Sequence, residues 1–89
     1  MNAREYLAHV HTLNCVVCLN CYGKNRPANE AHHVEHVRDA HSDFAAVPLC
    51  FTCHRSLHKS RRRGFYLAHK LSDVKLLAWT IKQLMSQDD

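Results

Sequence analysis

Pro48-Leu49-Cys50-Phe51-Thr52-Cys53-His54-Arg55-Ser56-Leu57-His58 is the stretch on which the reading of this chain turns. Cys50 and Cys53 have the spacing of a zinc knuckle. His54 and His58 are four apart, so a helix from about Phe51 onward projects both from one face, where they can share one cation. The stretch therefore reads as half of two metal sites, one structural and one chemical. Partners for both stand upstream. Cys15-Val16-Val17-Cys18 is a second CxxC, and Ala31-His32-His33-Val34 holds an adjacent His pair.

The whole chain fits that reading. Its 89 residues make a single domain, 1–89, too short for a large core. Five Cys and nine His point to metal as the staple rather than disulfides. Met1-Asn2-Ala3-Arg4-Glu5 carries a charge pair where a signal peptide would need an apolar run, and no apolar stretch is long enough for a membrane span. Expected are a reducing, cytoplasmic setting and no membrane partner. A net charge of +4 is modestly basic. Lys59, Arg61, Arg62 and Arg63 follow the His pair directly; with Arg55 they are candidates for phosphate contact, a solvated charged turn being the plainer reading.

Going outward, Asn2 to about Thr12 reads as a short helix, with Tyr6, Leu7 and Val10 at helical spacing and Leu13 extending the stripe. Asn14 to Asn29 reads as a knuckle and a polar loop. Cys15, Cys18 and Cys21 overlap as two CxxC units. Cys15 and Cys18 are favoured as ligands, with Cys21 as the spare thiol or the replacement. Ala31 to Val37 reads as a strand, and Ala46 to Leu49 as a second strand closing a hairpin with it. Neighbours in a regular strand face opposite ways, so His32 and His33 serve one site only if the strand begins or bends there; His36 is a rival ligand on the face of His32. Ser60 to Gly64 should break the helix that carries His54 and His58, with Gly64 as cap or turn. A last helix, about 72–86, has Ser72 as N-cap, and Val74, Leu77, Ala78, Ile81, Leu84 and Met85 form an apolar stripe assigned to the core. The expected fold is a small α+β domain: an N-terminal helix, a ββα core over about 14–60, and a C-terminal amphipathic helix.

The order CxxC, His-His, Pro-Leu-Cys-x-x-Cys-His-x-x-x-His resembles the HNH (ββα-metal, His-Me finger) endonucleases, in the style of their small, phage-type zinc-knuckle members. The resemblance spans about Cys15 to His58. It implies a zinc-clasped, treble-clef-like core in which Cys15, Cys18, Cys50 and Cys53 hold structural zinc. It further implies that His32, His54 and His58 hold a catalytic divalent metal, and that His33 is the general base. The activity implied is hydrolysis of DNA phosphodiester bonds, with DNA as partner and a homodimer or a larger phage or recombination assembly as the possible context. The family's middle Asn corresponds here to Ala45; Asp43, two residues upstream, is the residue available for a carboxylate version of its role.

Elementary chemistry agrees with this division. Hydrolysis needs a group that takes a proton near neutrality, which suits an imidazole, and a cation to stabilise charge on the phosphate. Imidazole ligands suit Zn, Ni, Co or Mn better than Mg, which prefers oxygen and stays in the list by abundance. Three rival readings remain. One is a zinc module of the same fold that binds DNA without cleaving it. Cys50-Phe51-Thr52-Cys53-His54 also spells a c-type haem attachment, but that chemistry follows export and would leave Cys15, Cys18 and the His pair without a role. A thiol–disulfide enzyme lacks its βαβ surroundings.

Overall fold

A computed structural model describes residues 1–34 and 42–86. The rival ligand His36, the end of the expected first strand at Val37, the first half of the loop after it (38–41) and the tail Gln87-Asp88-Asp89 lie outside the described residues.

The described chain is a small α+β arrangement of five α-helices and one two-stranded sheet. Helix α1 spans Ala3–Val10, with the Asn2 side chain accepting from the Glu5 amide at 2.8 Å. It buries Tyr6 and Val10, and the Tyr6 hydroxyl donates to the Ala46 carbonyl at 2.8 Å.

Helix α2, Val16–Tyr22, occupies what reads from sequence as a knuckle and loop. Cys15 is its N-cap: the thiol accepts from the Cys18 amide at 3.5 Å, and Gly23 ends the helix in the left-handed region at φ 65°. The CxxC spacing is thus also the spacing of a helix cap, and Val16 and Val17 fall on a buried face. The following segment stays irregular and is tied back by the Cys15 amide on the Arg26 carbonyl at 2.8 Å.

Strands β1 (Glu30–His33) and β2 (Ala46–Leu49) pair antiparallel, with Glu30 opposite Leu49, His32 opposite Val47 and His33 opposite Ala46. Pro48 is tolerated because each strand of a two-stranded sheet is an edge. A short 3-10 turn, Ser42–Ala45, leads into β2.

Helix α3, Phe51–Lys59, opens as α2 does: the Cys50 thiol accepts from the Cys53 amide at 3.4 Å. The chain then breaks at Ser60 and Arg61, where Arg61 has φ 61°. It resumes at once as α4, Arg61–His69, which corrects the expected turn. Gly64 lies inside α4 and caps nothing; the left-handed cap is Lys70 at φ 56°.

Helix α5 spans Asp73–Ser86, with the Ser72 hydroxyl accepting from the Lys75 amide at 3.1 Å. Its expected core stripe holds only in part: Leu77 and Leu84 pack, partly buried, against the core. Leu76 and Thr80 are the buried positions, whereas Val74, Ile81 and Met85 are 76, 55 and 69 % exposed. What turns the helix is a polar clamp. Gln83 accepts from the Asn14 amide at 3.0 Å and donates to the Asn14 carbonyl at 2.9 Å, fastening α5 to the start of the first CxxC. Trp79 is half-buried against the core. That core gathers Val16, Val17, Val34, Val47, Leu49, Leu57, Phe65 and Leu76 around all four ligand-type cysteines. Among the described residues no helix is long and apolar enough to cross a membrane.

Candidate metal centres

The two capped helix starts face one another. Cys15, Cys18, Cys50 and Cys53 are all buried, with their sulfurs within 4.8 Å of one another. Cys18 Sγ lies 3.8 Å from Cys50 Sγ and 3.7 Å from Cys53 Sγ. Four thiolates placed tetrahedrally about 2.3 Å from zinc have neighbouring sulfurs about 3.8 Å apart, so the group fits a structural zinc. Cys21, one helical turn beyond Cys18, is exposed and outside the group.

The electrostatics of these thiols are divided. Cys15 is pulled down to about 5, first by the hydrogen bond from the Cys53 thiol and then by backbone amides, against its burial. Burial, and next the charge on Cys15, push Cys18 up to about 11. Cys53 is pushed up as well, chiefly because its proton serves Cys15. Four buried thiolates this close repel one another, so a divalent cation is what would allow all four to ionise together.

The second centre lies on α3 and β1. His54 and His58 project from one face of α3, their Nε2 atoms 3.1 Å apart. His32 completes the group from β1, its ring centroid 5.2 Å from that of His54 and 6.1 Å from that of His58. One ring nitrogen from each lies within 4.8 Å of the others. His32 Nε2 is buried with no hydrogen-bond partner, an arrangement that costs free energy unless something occupies its lone pair. Burial, then the neighbouring His54 and His58, lower His32 to about 4, so its imidazole is neutral and able to bind a cation at pH 7. The donor chemistry and the orphaned nitrogen fit a shared cation. The group is graded from buried His32 through half-buried His54 to exposed His58, so one side is open.

His33 is not in this group. It takes the other face of β1, as strand alternation demands, and is solvent-accessible. Its Nε2 lies 3.0 Å from Asp43 Oδ1, on the 3-10 turn. Asp43, singled out from sequence as the available carboxylate, does reach His33, and Ala45 leads into β2 without a polar side chain. Glu30 is the residue that sequence reading missed. Its Oε2 lies 3.2 Å from His54 Nδ1. The available signal is its position two residues before His32 in a strand.

The cations divide. Arg55, Lys59, Arg61 and Arg63 are exposed, with the Arg55 guanidinium 5.5 Å from the centroid of the exposed Phe51 ring. Arg62 is exposed too, but its guanidinium is engaged within the protein: it donates to the Val34 carbonyl at 2.7 Å, lies 4.0 Å from Asp73, and is 5.7 Å from the Tyr66 ring centroid. Asp73 in turn accepts from the Tyr66 hydroxyl at 2.5 Å.

No family model, curated protein or solved structure matches the chain.

Proposed function

We propose that this chain is a metal-dependent endonuclease of the HNH, ββα-metal type, with a zinc-clasped treble-clef-like core, hydrolysing DNA phosphodiester bonds. The observation that carries the reading is the combination on one strand: His32 joins an open three-imidazole cluster, while the next residue, His33, on the other face of β1, is paired with the carboxylate of Asp43.

His32, His54 and His58 would hold the divalent cation. Bound there, it supplies charge stabilisation for the scissile phosphate and the leaving oxygen. The chain's own residues do the rest. An ionised Asp43 only accepts hydrogen bonds, so it fixes the proton of His33 on Nε2. Nδ1 of His33 is then left with its lone pair and is the atom that would take a proton from the attacking water; because His33 faces away from the cluster, that step requires the end of β1 to bend toward the cation when DNA binds. Asp43 thus carries the orienting role for which the family pattern offers only Ala45 here. Exposed Arg55, Lys59, Arg61 and Arg63 supply sequence-independent phosphate contacts. Arg62 is withdrawn from that set by its internal bonds.

The second reading, a DNA-binding module of the same fold without cleavage, is favoured by one observation, the apolar Ala45. A supercoiled-plasmid nicking assay with Mg, Mn, Ni, Co and Zn in turn, wild type beside His33→Ala, separates the two. Nicking by wild type, falling about 10²- to 10⁴-fold in the variant, is expected for a general base. Folded, zinc-loaded wild type that nicks with none of these metals overturns the nuclease reading and leaves the binding module.

A further inference from the structure

We infer that Glu30 is a positioning residue for the His cluster: it selects the nitrogen of His54 that faces the cation, and so sets the affinity of that site. The inference rests on reading His32, His54 and His58 as metal ligands. It does not depend on cleavage.

The argument begins in β1. Residues two apart in a strand share a face, so Glu30 and His32 both point toward α3, and Ala31 and His33 point away. On that shared face the two do different work. His32 presents its orphaned Nε2 to the cluster. Glu30, two strand pairs further toward the start of α3, stands opposite Leu49 and reaches His54 at 3.2 Å. An ionised carboxylate is an acceptor only, so the proton between them belongs to His54 Nδ1. Nε2 of His54 is then unprotonated, and it lies 3.1 Å from His58 Nε2. The ligand set that follows is Nε2 from all three imidazoles.

Without Glu30 the neutral His54 ring is free to carry its proton on either nitrogen and to rotate. Its side chain is only 19 % exposed, so water replaces the carboxylate poorly. Carboxylates behind histidine ligands hold the ring's orientation and raise its basicity, and their removal costs about 10- to 100-fold in metal affinity.

The test uses the full chain with one zinc in the Cys group and Co²⁺ added as probe. Its uptake is followed by visible absorption and by calorimetry, for wild type, Glu30→Gln and Glu30→Ala. Long-range ¹H–¹⁵N spectra of the histidines report the His54 tautomer before Co²⁺ is added. Expected are a single Nδ1–H tautomer in wild type, mixed tautomers in Glu30→Ala, and Co²⁺ affinity about 10- to 100-fold weaker there. Glu30→Gln keeps shape and an acceptor oxygen, so its loss is smaller and its tautomer unchanged, which also guards against a variant that merely misfolds. Equal Co²⁺ affinity in wild type and Glu30→Ala, or wild-type His54 protonated on Nε2, overturns the assignment of Glu30 alone. Wild type that binds no second cation overturns the ligand reading together with it.

Discussion

The two clusters share one helix and differ in what surrounds them. Cys50 caps α3 and Cys53 sits in its first turn, while His54 and His58 follow on another face. All four cysteines are packed into the hydrophobic core, whereas the imidazoles grade from buried to exposed. A closed, all-sulfur group is built for holding the chain together, and a group with an open flank is built for exchange with solvent and ligand. Adjacent residues of one short helix thus belong to two clusters with different surroundings, one closed and one open. The separation can be broken experimentally. Structural zinc contributes about 10–16 kcal/mol, against roughly 5–15 kcal/mol for a whole domain. Cys50→Ser should therefore abolish the thermal transition and the bound zinc. His58→Ala, at an exposed position, should shift stability by no more than about 0.5 kcal/mol. A Cys50→Ser protein with unchanged melting temperature and zinc content would refute the zinc assignment.

The second contrast is between the two carboxylates. Glu30 faces a residue of the three-His cluster, and Asp43 faces a histidine outside it. Asp43→Ala should slow nicking about 10- to 100-fold, less than the loss of the general base itself, because His33 loses the partner that fixes its proton. Its Co²⁺ affinity should stay at the wild-type value. If Asp43→Ala instead weakens Co²⁺ binding and Glu30→Ala does not, the roles of the two carboxylates are exchanged.

Both clusters were legible in the sequence because ligand chemistry restricts residue type and spacing together. CxxC brings two sulfurs to one cation, and His54 and His58 at four residues must share a helix face. The helix behind the first CxxC was not legible. Cys15 caps through its thiol, and thiols are absent from the usual cap signatures. The face of α5 was misread in part, for a related reason. Val74, Ile81 and Met85 make a regular apolar stripe, but the helix is turned by the reciprocal Asn14–Gln83 clamp, a contact between residues 69 apart that periodicity cannot register. Glu30 was missed because a carboxylate behind a histidine ligand has no fixed spacing to it along the chain, only a place on the neighbouring strand.

The smallest effects test the basic run, whose members look equivalent in sequence. Arg62 holds the carbonyl of Val34, the residue after His33, and pairs with Asp73 on α5. A charge-assisted hydrogen bond contributes about 1.5–3 kcal/mol, but this side chain is 45 % exposed and its ion pair is 4.0 Å long, so solvent screening brings the expected loss in Arg62→Ala to about 1 kcal/mol. For a domain of this size that lowers the melting temperature by about 4–8 °C. The salt dependence of DNA binding should not change, because Arg62 releases no counterion from the duplex. Lys59→Ala should do the reverse: an unchanged melting temperature, and a slope of log K against log salt reduced by about 0.9. If Arg62→Ala flattens the salt slope and leaves the melt untouched, Arg62 belongs to the DNA surface and the end of β1 is held by other contacts.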